Sequence, residues 1–230
     1  MNGLRENIPY QRTRVKICGL TSLSDAMEAV HLGADALGFI FTRESPRCLE
    51  PEAASAITAQ IPPLVTRIGV FKDQDPEWIR DVVLFCNLHI VQLHGSEPPE
   101  YCESLDIDYI KAFRMQDERS LGTMQDYTIS SRERAFLLDT FVHDRAGGTG
   151  KTFDWNLVQS AAAFGPIILS GGLHPGNVGQ AILQVRPFAV DTCSGVEREP
   201  GKKDAERLQA FFDQVHQADM VIGRRGLGRT

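Results

Sequence analysis

The sequence predicts an α/β protein folded as a single-domain (β/α)8 barrel, and three observations carry that prediction. Short apolar, often β-branched runs alternate with amphipathic or alanine-rich stretches along almost the whole chain. Eight such pairs fit between residues 14 and 216, at about 25 residues each, which is the content of a closed parallel barrel. Strict alternation also demands parallel strands with right-handed crossovers, while the glycine fingerprint of a doubly wound dinucleotide-binding sheet is missing: KICGLTSLSDA holds one glycine, Gly19.

The elements follow in order. RVKIC (14–18) leads to a helix over 22–32 that Ser22 or Ser24 can cap. ADALGFI (34–40) precedes a helix over 51–60, with Pro51 in the first turn, where a missing N–H costs nothing. LVTRIGVF (64–71) leads to a helix over 76–86 that Pro76 opens in the same way. HIVQLH (89–94) and YIKAF (109–113) precede helices over 98–104 and 116–126. AFLLD (135–139) is followed by a helix over 154–163 capped by Asp154, PIILS (166–170) by one over 175–184, and FAVD (188–191) by one over 203–216. Residues 1–13 and 217–230 fall outside this scheme as terminal extensions. The basic, glycine-rich end MVIGRRGLGRT reads as poorly ordered.

Composition narrows the function. A net charge of −6 and a pI near 5.5 provide no broad basic surface for nucleic acid, and no run has the length of a membrane span. The start, MNGLRENIPYQRTR, lacks the apolar core of a signal peptide, so a cytoplasmic protein with small-molecule partners is expected, as monomer or homodimer. Five cysteines, at 18, 48, 86, 102 and 193, form no CxxC pair and read as free thiols. The six histidines are scattered without H-x-H or H-E-x-x-H, so no metal is expected.

GGTGKT (147–152) imitates a nucleotide-binding P-loop, but the pattern requires glycine at position 145, which is Arg145. The chemistry of a barrel instead lies at the carboxyl ends of its strands. SGGLHPGN and DTCSGVE, after the seventh and eighth runs, place Gly171, Gly172, Ser194 and Gly195 where backbone N–H groups can hold a phosphate; ordinary turns are the plainer reading of either loop alone. Cys18 and Asp139 end the first and sixth runs and suit proton transfer, a thiolate taking a proton from carbon and a carboxylic acid giving one to oxygen. Singly, each has a structural alternative, as a small core residue or a turn residue. His94 can orient a substrate or exchange protons, Arg47 can pair with a carboxylate or phosphate, and Asp191 can accept from a sugar hydroxyl or tie down its loop.

Together VKICGLT, GADALGFIF, SPR, IGVF, VQLHGSE, LLDT, GGTGKTFDW, LSGGL and DTCSGVE, in this order, resemble the phosphoribosylanthranilate isomerase family, single-domain (β/α)8 enzymes of tryptophan biosynthesis. The resemblance implies an Amadori rearrangement without metal or cofactor. It makes Asp139 the general acid at the ribose ring oxygen and Cys18 the general base at the sugar C2. Arg47 would bind the anthranilate carboxylate. Gly171, Gly172, Ser194 and Gly195 would hold the phosphate with backbone from the Gly148 to Gly150 loop, and His94 and Asp191 would lie near the sugar. Two places depart from the family's usual pattern: Cys193 stands where serine is common, and GVFKDQD lacks the usual asparagine. Two alternatives stand beside this reading, the parallel isomerase of histidine biosynthesis and a non-catalytic phosphometabolite binder.

Overall fold

The structure, a computed structural model, describes residues 12–115, 119–127, 133–139 and 155–227. Strands and helices alternate as β1 (Arg14–Ile17), α1 (Leu23–His31), β2 (Ala36–Ile40), α2 (Pro51–Thr58), β3 (Thr66–Phe71), α3 (Pro76–Phe85), β4 (Ile90–Leu93), α4 (Pro99–Ser104) and β5 (Tyr109–Arg114). The order continues through α5 (Arg119–Met124), β6 (Glu133–Asp139), α6 (Trp155–Ala161), β7 (Ile167–Ser170), α7 (Val178–Val185), β8 (Ala189–Thr192), β9 (Glu197–Glu199), β10 (Lys202–Lys203) and α8 (Ala205–Leu227). β1 to β8 close a parallel barrel in sequence order, and β8 returns to β1 with register Arg14↔Ala189 to Ile17↔Thr192.

Local chemistry starts the helices where the sequence predicts. Ser22 Oγ accepts from Asp25 N at 3.2 Å, and Asp75 caps α3 ahead of Pro76 by accepting from Glu77 N and Trp78 N. The expected cap Asp154 lies outside the described residues. Alternation along the strands then sorts side chains between two cores. Ile17, Phe39, Leu93, Phe136, Leu169 and Val190 face the helices and are fully buried, each worth about 1.5–3 kcal/mol. Ile68, Ile110, Ala112, Ala135, Leu137, Ile168 and Ala189 fill the barrel interior. Toward the carboxyl ends the interior turns polar, with Lys16, Gln92 and Asp191 all buried. Among the described residues no helix is long and apolar enough to cross a membrane.

Two features depart from the prediction. β9 and β10 form an antiparallel hairpin across Pro200 and Gly201, in a segment too short and too charged to show a strand pattern. The last helix does not stop near 216 but runs through Leu227, which corrects the reading of the glycine-rich end as poorly ordered. Glycine costs a helix about 1 kcal/mol relative to alanine. Burial of Ala218 and Ile222 on one face, and acceptance by Asp219 of hydrogen bonds from Thr13 N (2.9 Å) and Thr13 Oγ1 (2.7 Å), outweigh that cost.

Candidate active site

A cavity of about 240 Å³ opens at the carboxyl ends of the strands. Alternation builds its wall. Lys16 and Asp191 are register partners pointing into the barrel, and two residues further along their chains Cys18 and Cys193 reach the mouth. Ile40, Val70 and Gln92 supply the floor from β2, β3 and β4, and His94 stands just beyond β4. Three strands round the ring from β1, Asp139 closes β6, and its Oδ2 lies 3.8 Å from His94 Nε2. Cys18 and Asp139, the expected base and acid, therefore line one cavity from non-adjacent strands. A larger cleft of about 480 Å³, between the Phe41–Pro51 and Lys72–Trp78 segments, contains none of the predicted site residues.

The loops after β7 and β8 complete the wall with Gly171, Gly172, Ser194 and Gly195. Gly171 and Gly172 have φ of +94° and +69°, the left-handed region that glycine enters without strain. At Gly195 the reason is steric: a Cβ would sit 1.9 Å from the carbonyl oxygen of Leu173, so only glycine lets the two loops meet. Gly148 and Gly150 lie outside the described residues.

Charge around Cys18 is arranged to favour a thiolate. A Cβ built on Gly38 would lie 2.7 Å from Cys18 Sγ and 3.2 Å from Lys16 Nζ, which puts sulfur and ammonium within about 6 Å, close enough for one charge to stabilise the other. Lys16 is itself fixed by Asp191 Oδ1 at 2.8 Å, while Asp191 Oδ2 accepts from Ser170 Oγ at 2.9 Å. Burial favours the neutral amine, but Asp191 outweighs it and holds the Lys16 pKa above its ordinary value. A hydrogen bond from Cys193 does most to bring the Cys18 thiol down, to about 6, against burial and with help from Lys16. Cys193 moves the opposite way, raised by the same hydrogen bond and by burial, so the pair gives up its first proton easily and its second with difficulty.

Asp191 and Arg47 both hold protein partners. Asp191 lines the cavity, and each of its oxygens accepts one hydrogen bond from protein, which ties the site together and leaves a carboxylate further lone pairs for a sugar hydroxyl. Arg47 does not line the cavity; Glu197 Oε1 accepts from its Nε at 2.8 Å and Glu197 Oε2 from its Nη2 at 2.6 Å. Glu197 also meets Lys203 Nζ at 3.0 Å, and Lys203 donates to the carbonyls of Cys18 (2.6 Å) and Cys193 (3.0 Å). Arg47 thus ends an ion chain, buried at Glu197 and Lys203, that braces the mouth.

Sequence reasoning missed Lys16, Gln92, Ser170, Glu197 and Lys203. Strand alternation could have found the first two, which lie two positions before Cys18 and His94, and Ser170 ends the seventh apolar run. Nothing local marks Glu197 or Lys203. Among the described residues no group of three His, Cys, Asp or Glu side chains is placed to hold a metal.

A thiol and a carboxyl group across one barrel mouth, beside glycine-lined loops after β7 and β8, define a (β/α)8-barrel enzyme of proton transfer. Residues 15–214 match the family model described as N-(5'-phosphoribosyl)anthranilate (PRA) isomerase. The chain belongs to that family. It is 49% identical over 199 residues to N-(5'-phosphoribosyl)anthranilate isomerase of Geobacter sulfurreducens, covering 86% of this chain and 96% of the relative. With the enzyme of the same name from Moorella thermoacetica the identity is 47% over 208 residues, covering 90% and 91%. The crystal structure of phosphoribosyl anthranilate isomerase from Thermotoga maritima superposes with a TM-score of 0.81 at 45% identity, covering 89% of this chain and 99% of that one. A structure of this isomerase in complex with reduced 1-(o-carboxyphenylamino)-1-deoxyribulose 5-phosphate superposes with a TM-score of 0.80 at 42% identity, covering 89% and 99%.

Proposed function

We propose that the cavity carries out the Amadori rearrangement of N-(5-phosphoribosyl)anthranilate to 1-(2-carboxyphenylamino)-1-deoxyribulose 5-phosphate, a step of tryptophan biosynthesis. The observation that carries the assignment of roles is the placement of Cys18 and Asp139 in the wall of one cavity, at the ends of strands that are not neighbours. Asp139 gives a proton to the ribose ring oxygen as the C1–O bond breaks, leaving a Schiff base. The Cys18 thiolate takes the C2 proton, and the resulting enolamine tautomerises to the ketone. Lys16 keeps the thiolate available. Backbone N–H groups around Gly171, Gly172, Ser194 and Gly195 hold the phosphate, joined by the Gly148 to Gly150 loop. His94, beside Asp139, orients the sugar. Glu197 holds Arg47 through Nε and Nη2, so the anthranilate carboxylate would meet the guanidinium through Nη1 at the rim.

The ligand is a phosphosugar, the partners include neither nucleic acid nor membrane, and the setting is cytoplasmic. A monomer or a homodimer fits this reading; a Thermotoga maritima isomerase at 42% identity is described as dimeric. The test supplies purified protein with substrate made in place from anthranilate and phosphoribosyl pyrophosphate and follows the product by chromatography. Turnover undiminished by EDTA is expected, and Cys18→Ala and Asp139→Asn should each lower kcat by about two orders of magnitude or more with the fold retained. Tight product binding without turnover would point to the non-catalytic binder, and wild-type kcat in either variant would remove that residue's role.

A further inference from the structure

We propose that Cys18 and Cys193 form an oxidation site, a facing dithiol that a hydroperoxide converts into a disulfide and a thiol reductant restores. Only the consequence for turnover rests on reading Cys18 as the base; the site itself rests on strand geometry. β1 and β8 are paired through Ile17↔Thr192, and Cys18 N continues the ladder by donating to Thr192 O at 2.9 Å. The next pair in that register is Cys18 with Cys193. Neighbouring strands lie about 4.8 Å apart, inside the Cα separation a disulfide spans.

Both residues belong to the cavity wall. They fall on the alternation that carries Lys16 and Asp191 into the barrel, and both line the cavity. The Cys193 sulfur lies beside the residue that follows Cys18, so close that a Cβ on Gly19 would be 2.6 Å from it. Lys203 Nζ clamps the carbonyls of both residues and holds the pair in register.

The remaining cysteines show what an inert thiol looks like in this chain. Burial pushes Cys86 up to about 11 and Cys102 up to about 12, and raises Cys48 as well. Cys18 alone is shifted down, and thiolate character governs attack on a peroxide. Cys193, which the proposed rearrangement does not use, is placed to resolve the product.

The steps balance. The Cys18 thiolate attacks a peroxide oxygen; an S–O bond forms, the O–O bond breaks, and the departing hydroxide takes a proton and leaves as water. The resulting sulfenic acid is neutral, so the anion that held the Cys193 proton is gone, and Lys203 and Arg47 favour the Cys193 thiolate. Cys193 then loses its proton and attacks the Cys18 sulfur. An S–S bond forms, the S–O bond breaks, and a second water leaves. Two thiols have been oxidised and one peroxide reduced.

The full-length protein treated with hydrogen peroxide, then alkylated, digested and analysed by mass spectrometry, should yield a cross-linked peptide joining Cys18 to Cys193. Two titratable thiols should be lost, turnover should fall at least tenfold, and dithiothreitol should restore both. Cys193→Ser and Cys193→Ala should give no cross-link and pass to the sulfinic acid at Cys18, which dithiothreitol does not reverse. Wild-type protein that oxidises at Cys18 without joining Cys193, or joins a different cysteine, would overturn the proposal. A Cys18–Cys193 cross-link with turnover unchanged would instead retain the oxidation site and remove Cys18 as the base.

Discussion

Two positions before Cys18 on the same strand, Lys16 supplies the charge that the proposed mechanism needs, and the direction of its effect can be measured. The base works as a thiolate, so kcat/KM should rise about tenfold per pH unit below the Cys18 pKa of about 6 as the thiolate forms. Removing the ammonium removes stabilisation of the anion, so the pKa must rise. Lys16→Gln, whose amide can still donate to Asp191, should move the acid limb upward by about one unit or more, read equally from the thiolate absorbance near 240 nm; Lys16→Arg should leave it near the wild-type position. An unmoved limb in a folded Lys16→Gln protein would show that Lys16 serves packing only. This residue was legible in principle, because strand alternation makes any residue two before an inward Cys18 point inward too.

At the scale of elements, the β9–β10 hairpin is what joins the second loop to the barrel mouth. Glu197 receives Arg47 on one side and Lys203 on the other; burial favours its protonated form, yet those two cations outweigh burial and hold its carboxyl below the usual range. Glu197→Gln takes away the negative charge between them and leaves Lys203, almost fully buried, without its carboxylate. Breaking a buried pair from one side costs about 3 kcal/mol, so thermal denaturation should shift down by roughly 6–12 °C. A Tm within 2 °C of wild type, a change of about 1 kcal/mol or less, would mean that the chain of ions breaks even. None of this was legible, since Arg47 and Glu197 lie 150 positions apart and an isolated loop arginine looks the same whether it awaits a substrate or already holds a partner.

For the molecule as a whole, the long last helix closes the barrel from outside by joining the two ends of the described chain through Thr13 and Asp219. Ending the chain at residue 216 would remove that link together with buried Ala218 and Ile222. A loss of about 2–4 kcal/mol is expected, seen as a lower urea midpoint, with kcat of the remaining folded protein little changed because none of the described residues past 216 lines the cavity. An unchanged midpoint would place the end of the fold where composition first suggested it. The barrel itself was readable from the chain. Alternating apolar runs, capping serines and first-turn prolines are relations among near neighbours, so they announce the elements, their faces and the chemistry-bearing residues at the strand ends wherever they occur. Which of those residues meet is another matter. Lys16 reaches Asp191 across 175 positions, Cys18 faces Cys193, and Arg47 is claimed by Glu197 only because the sheet curves round until its last strand bonds to its first, and closure of a ring is a long-range event that no local pattern encodes.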